Sequence, residues 1–236
     1  MTNLILLAVG NKYIETLIKD YHKIPSDFSV TIYTSDVVKI KSNIKNANVF
    51  KYPSKSFKYF DKFKFTIELS NKLKETVLYI DTGRLKEVTD DIWFMDLSKV
   101  ENISFASNWG GIESSQDLRT FESPYFESNY FDNILDYFID NKVELKDIPV
   151  FLERIFVVPF KKSMSFLLDE LEIIRELFEE NSKTKENVYS GLGNGEGLGM
   201  GYALTKLKEP YSDIKKYKRK VNKVIWVFSK IQQVKR

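Results

Sequence analysis

Four short stretches of this chain hold side chains of the kind that do chemistry. Asp81-Thr82-Gly83-Arg84 follows the apolar run Val77-Leu78-Tyr79-Ile80 without a gap. A carboxylate placed there emerges at a sheet edge, where it can ligate a divalent cation or accept ribose hydroxyls. Arg84 adds a planar fork of donors suited to phosphate oxygens. The same Asp-x-Gly pattern also makes an ordinary turn, and the residues alone leave the two readings level. Gly10-Asn11-Lys12 and Ser107-Asn108-Trp109-Gly110-Gly111 close two further apolar runs. In open α/β sheets ligands sit beyond the carboxyl ends of the strands, where loops and helix N-termini converge.

The fourth stretch, Gly191 to Gly201, contains six of the chain's ten glycines. Such density lets backbone N–H groups approach a ligand, with a helix start to follow. The strict period of two denies a dinucleotide G-x-G-x-x-G fingerprint, and no glycine is followed by Lys and Ser or Thr as a phosphate-binding P-loop requires. The plainer alternative is a surface loop leading into a helix over Tyr202 to Leu207 whose small residues pack closely. Glu196, a lone carboxylate among glycines, favours a site. Trp109, Phe121, Tyr125, Phe126 and Tyr130 offer flat faces for sugars or bases, or simply pack beneath their loop.

Composition narrows the chemistry. The 236 residues are 43% hydrophobic and 14% aromatic, far too apolar for a disordered chain. Without cysteine there is no thiol nucleophile, disulfide or thiolate metal site. One histidine, His22, makes a Ser-His-Asp triad a poor expectation and leaves only hard, oxygen-ligated metals. No run reaches the ~18 apolar residues of a membrane span. The start lacks a basic leader, so the expected place is cytoplasmic. Charge is uneven: Lys206 to Arg236 carries +9 and the rest about −6. That basic end, with Val221, Val224, Ile225, Trp226 and Phe228, can meet nucleic-acid phosphates or an anionic membrane surface at the inner face, or merely cover the core.

The elements that must position these residues alternate. Leu4 to Val9 reads as a strand buried on both faces; Ile14, Leu17, Ile18 and Tyr21 follow at helical spacing. Ser29 to Tyr33 is a second strand and Asn48 to Tyr52 a third. Lys62 to Leu73 alternates like a strand, but a crossover must precede the strand Thr76 to Ile80, so a helix is expected there. Ile103 to Ala106 is a strand, residues 112 to 130 a long loop, and Ser128 or Asn129 caps a helix. The strand Ile155 to Val158 precedes an amphipathic helix with Leu167, Leu171, Ile174 and Phe178 inward. The pattern predicts one α/β domain with a mostly parallel sheet.

In order, these pieces resemble the nucleotide-sugar glycosyltransferases of the GT-A fold. The likeness rests on Leu7-Ala8-Val9-Gly10-Asn11-Lys12-Tyr13, Val77 to Gly83, Arg154 to Pro159, and Gly195-Glu196-Gly197 before a helix with Ala203-Leu204. It implies a Rossmann-like domain over residues 1–207 and a basic extension over 208–236. It also implies that Val9, Gly10, Asn11 and Tyr13 hold the nucleoside of a UDP- or GDP-sugar, and that Asp81, Thr82, Gly83 and Arg84 meet the diphosphate. Ser107, Asn108, Trp109, Gly110, Gly195 and Glu196 would then face donor sugar or acceptor. The family binds diphosphate through Mn or Mg on an Asp-x-Asp motif, whose second acid falls at Gly83 here. Either Asp81 binds metal weakly with the donor's phosphates, or Arg84 and a nearby lysine supply the charge; weak or absent metal dependence is the expectation. Glu196 would be the base and Asp81 the other catalytic acid. The acceptor is a hydroxyl of a glycan, a lipid-linked group or nucleic acid. The competing readings are a nucleotidyltransferase and a nucleic-acid-associated protein, including a sugar transferase acting on modified DNA.

Overall fold

The computed structural model describes residues 2–54, 58, 60–106, 113–114, 128–144, 147–151, 154–182 and 195–217. Its elements run β1 (Thr2–Ala8), α1 (Asn11–Asp20), β2 (Phe28–Thr34), α2 (Val37–Asn43), β3 (Ala47–Lys51), α3 (Asp61–Leu73), β4 (Val77–Ile80), α4 (Asp90–Trp93) and β5 (Ile103–Phe105). There follow β6 (Glu113–Ser114), α5 (Ser128–Asp140), β7 (Pro149–Val150), β8 (Ile155–Val158), α6 (Ser163–Ser182), α7 (Gly195–Leu207) and β9 (Tyr211–Asp213). Among the described residues no helix is long and apolar enough to cross a membrane.

Seven strands form one sheet in the order β3-β2-β1-β4-β8-β5-β9, and β6 pairs with β7 in a separate two-stranded ribbon. β1 pairs in parallel with β2 and with β4, β2 with β3, and β5 with β9. β8 alone runs against its neighbours β4 and β5. The expected α/β architecture with a mostly parallel sheet is the one observed.

Strand alternation sorts the core into two layers. Ile5 and Leu7 of β1, Val77 and Tyr79 of β4, and Phe156 and Val158 of β8 face residues of α3, α5, α6 and α7. Leu4, Leu6, Leu78, Ile80, Ile155 and Val157 face the other way, toward α1, α2 and the 3-10 helix Thr82–Glu87. A sheet buried on both sides explains why β1 and β4 read as unbroken apolar runs rather than alternating ones.

The strand-like alternation of Phe63, Phe65, Ile67 and Leu69 lies on a helix, as the crossover argument requires. α3 is sunk between the sheet and α6, so it buries most of its circumference and leaves only the narrow polar stripe Lys64, Glu68, Asn71 and Lys72 toward solvent.

One boundary differs from expectation. The helix expected from Tyr202 begins at Gly195, so the glycines from 195 to 201 belong to α7 and not to a ligand-cradling loop. A Cβ on Gly201 would stand 1.7 Å from the Pro149 carbonyl oxygen, and one on Gly199 would stand 2.9 Å from the Phe60 ring. Close packing, the plainer alternative, accounts for these two positions. Beyond residue 207, β9 adds a strand to the sheet, and Ile214 and Tyr217 are buried. The basic residues from 218 onward lie outside the described residues.

Candidate active site at the carboxyl edge

Strand order locates the crevice. The chain winds outward from β1 to β2 to β3, then returns across β1 to place β4 on its other side. The carboxyl ends of β1 and β4 therefore part at a topological switch point, the place where open α/β sheets bind ligands. Gly10 and Asp81 follow those two ends.

Gly10 has φ 88°, a backbone region that favours glycine, and nothing lies within 4 Å of where its Cβ would be. Its N–H donates to Ser35 Oγ at 3.0 Å, tying the end of β1 to that of β2. Asn11 and Tyr13 in the first turn of α1 are exposed, whereas Val9 is buried in the core. Beside them the Thr82 hydroxyl donates to the Leu7 carbonyl at 3.3 Å and is buried, so Thr82 clamps β4 to β1 and does not face a ligand. Gly83 meets nothing within 4 Å of a built Cβ and leaves open space.

Asp81 is partly exposed, and its backbone N–H donates to the Arg154 carbonyl at 2.8 Å. Tyr79, two residues back on the same face of β4, donates its hydroxyl to Asp81 Oδ1 at 2.6 Å. That face carries α3 and α7. A helix leading into a strand parallel to β1 starts at the carboxyl edge. The first turns of α3, which leads to β4, and of α7, which leads to β9, therefore lie there too. The first contributes Lys62 and the second Glu196. Because β8 is antiparallel, its beginning also lies at this edge and brings Arg154.

Lys62 Nζ donates to Glu196 Oε1 at 3.0 Å, with side chains only 3% and 6% exposed. Asp81 lies within the field of both. Burial pushes its carboxyl pKa up; the Lys62 ammonium is the largest influence holding it down, helped by the Tyr79 hydroxyl and Arg154, while the Glu196 charge pushes it further up. Asp81 and Glu196 therefore lie near enough for the charge of one to act on the other. Glu196 is not an open acid at a loop, however: it is buried 5% exposed and paired. Arg84 pairs its Nη1 with Glu87 at 2.8 Å along the 3-10 helix, which occupies part of its guanidinium.

Lys62 and Arg154 were not singled out in the sequence. The first sits in a helix whose period was ambiguous; the second precedes a strand whose antiparallel sense no local pattern announces. Ser107, Asn108, Trp109, Gly110 and Gly111 lie outside the described residues, and Gly195 enters only as the first residue of α7. His22 is exposed, with Nδ1 2.9 Å from the Lys19 carbonyl, and has no part in the crevice. Among the described residues no group of three or more His, Asp or Glu side chains is arranged to hold a metal ion.

No protein-family model matches the chain, and no curated protein matches it. Among solved structures it is similar to the crystal structure of the glycosyltransferase GlyE in Streptococcus pneumoniae TIGR4. The TM-score is 0.44 and the identity 14%, over 90% of this chain and 44% of that one. The chain thus spans less than half of that protein's length.

Proposed function

We propose that this chain is a glycosyltransferase that binds a UDP- or GDP-sugar at the crevice between β1 and β4 and passes the sugar to a hydroxyl acceptor. The observation that carries the reading is the gathering of Gly10, Asp81, Lys62, Arg154 and Glu196 at one switch point. A GT-A-like layout asks for that set: an open backbone turn for the nucleoside, a carboxylate for hydroxyls, and cations for a diphosphate.

In this reading the nucleoside lies over Gly10, Asn11 and Tyr13. The bond between the anomeric carbon and the diphosphate oxygen breaks, and its electron pair leaves with the diphosphate. The acceptor oxygen forms the new bond and gives its proton to a carboxylate. Asp81 suits that task better than Glu196, since it is partly exposed and its raised pKa makes it a stronger base. Arg154 supplies charge opposite the diphosphate, with the buried Lys62–Glu196 pair behind it.

A dication fits this set poorly. One Asp81 oxygen accepts from Tyr79, Glu196 is held by Lys62, and two cations already face the same point. Mg or Mn needs several free oxygens, so the reaction is read as metal-independent. The test is a thermal-shift screen with UDP, GDP and their sugars. A ligand at a hundred times its Kd adds about 2.7 kcal/mol, a rise of roughly 5–10 °C for a chain of this size. No shift with any of them refutes the proposal.

A further inference from the structure

We propose that Lys62 is the positioning residue of this crevice: its ammonium, buried against Glu196 on α7 at the edge where β4 ends in Asp81, steadies the two acids and holds the Asp81 carboxylate in its working form. Only the role of Asp81 in transfer rests on the transferase reading.

Helix stability does not explain the placement. A cation in the first turn of a helix opposes the macrodipole, whereas an acid there is favoured. Lys62 occupies that unfavourable position in α3 and is among the few buried lysine side chains a fold tolerates, 2% exposed. Glu196 occupies the favourable position in α7 and reaches across to it at 3.0 Å. A pair serving only to join α3 to α7 has no need to lie at the strand edge beside a third ionisable group. Every charged or titratable group shown to act on Asp81 fits the same account. Tyr79 comes from its own strand, Lys62 from α3, Glu196 from α7 and Arg154 from the start of β8, and Lys62 is the strongest counterweight to burial.

The experiment follows the Asp81 carboxyl by 13C NMR across pH in the full chain, with the resonance identified by its loss in Asp81→Asn. In Lys62→Met the midpoint for Asp81 moves upward, and Lys62→Arg restores it most of the way. Because Lys62→Met leaves Glu196 buried and alone, Lys62→Met with Glu196→Leu is made in parallel. That double variant recovers melting temperature and keeps an Asp81 midpoint above the parent's but below that of Lys62→Met, since the Glu196 charge that pushes it up is lost as well. An Asp81 midpoint that follows the parent in both folded Met variants overturns the proposal and leaves Lys62 a structural tie. Turnover of UDP-glucose or GDP-mannose is measured on the same set, with kcat falling at least tenfold in both Met variants and returning in Lys62→Arg. If the parent turns over no sugar donor, the transferase reading falls, while the titration still decides the role of Lys62.

Discussion

The buried phenol of Tyr79 donates to Oδ1 of Asp81 across 2.6 Å, two residues apart on one face of β4. Period-two geometry makes the contact, and its sign is definite: the hydroxyl steadies the ionised carboxylate. Tyr79→Phe therefore pushes the Asp81 pKa further up. The acid limb of the pH–rate profile should move to higher pH, with turnover on that limb down about tenfold, from a bond to a charged group worth about 1.5–3 kcal/mol. An unmoved limb removes Asp81 from the role of base.

Asp81→Asn should lose roughly 10²–10⁴-fold in turnover while retaining nucleoside diphosphate binding. Its stability should change the other way. A carboxyl whose folded pKa is raised gives its full stability below the unfolded value and loses it as pH climbs through the folded one. Asp81 thus opposes folding at neutral pH. The Asn variant should melt above the parent at pH 8, and the gap should close toward pH 4. Melting curves separated equally at every pH contradict this.

The two arginines should part company. Arg154→Ala should weaken UDP binding by about tenfold or more, the value of one charge-assisted contact. Arg84→Ala, whose partner is Glu87, should stay within about twofold. Isothermal titration of both variants checks the contrast.

Chelation should leave turnover within about twofold, since the crevice presents cations where a dication would need oxygens. Activity assayed with and without excess EDTA, then with Mn restored, decides the matter.

Gly201→Ala should cost about 3 kcal/mol, because the added methyl meets the Pro149 carbonyl, a backbone atom that cannot turn aside. The melting temperature falls by roughly 6–12 °C. Gly83→Ala, with open space around it, should melt with the parent.

Much of the frame was legible because burial writes itself into composition: β1, β4 and β8 are runs of Leu, Ile, Val and Phe, and a parallel sheet fixes the helices between them. Asp81 and Gly10 could be found since they interrupt such runs. Lys62 could not. On a helix whose other lysines are solvated, a buried lysine looks like any of them, and only the fold shows that an acid 134 positions later, on a second helix, is set against it. Arg84 shows the converse: nothing in Asp-Thr-Gly-Arg tells that a partner waits at Glu87. The glycine run was ambiguous because period two suits a loop and, when wound at 3.6 residues per turn, also thins two opposite flanks of a helix.

That thinning reaches further than packing. Gly199 presses on the Phe60 ring next to the start of α3, and Gly201 on Pro149 of the small ribbon. α7 is thus a shim driven between two neighbours, with no slack on either side. The acid on its second residue inherits that immobility, and any bulk added along the wedge will be felt at the crevice as a carboxylate turned out of line.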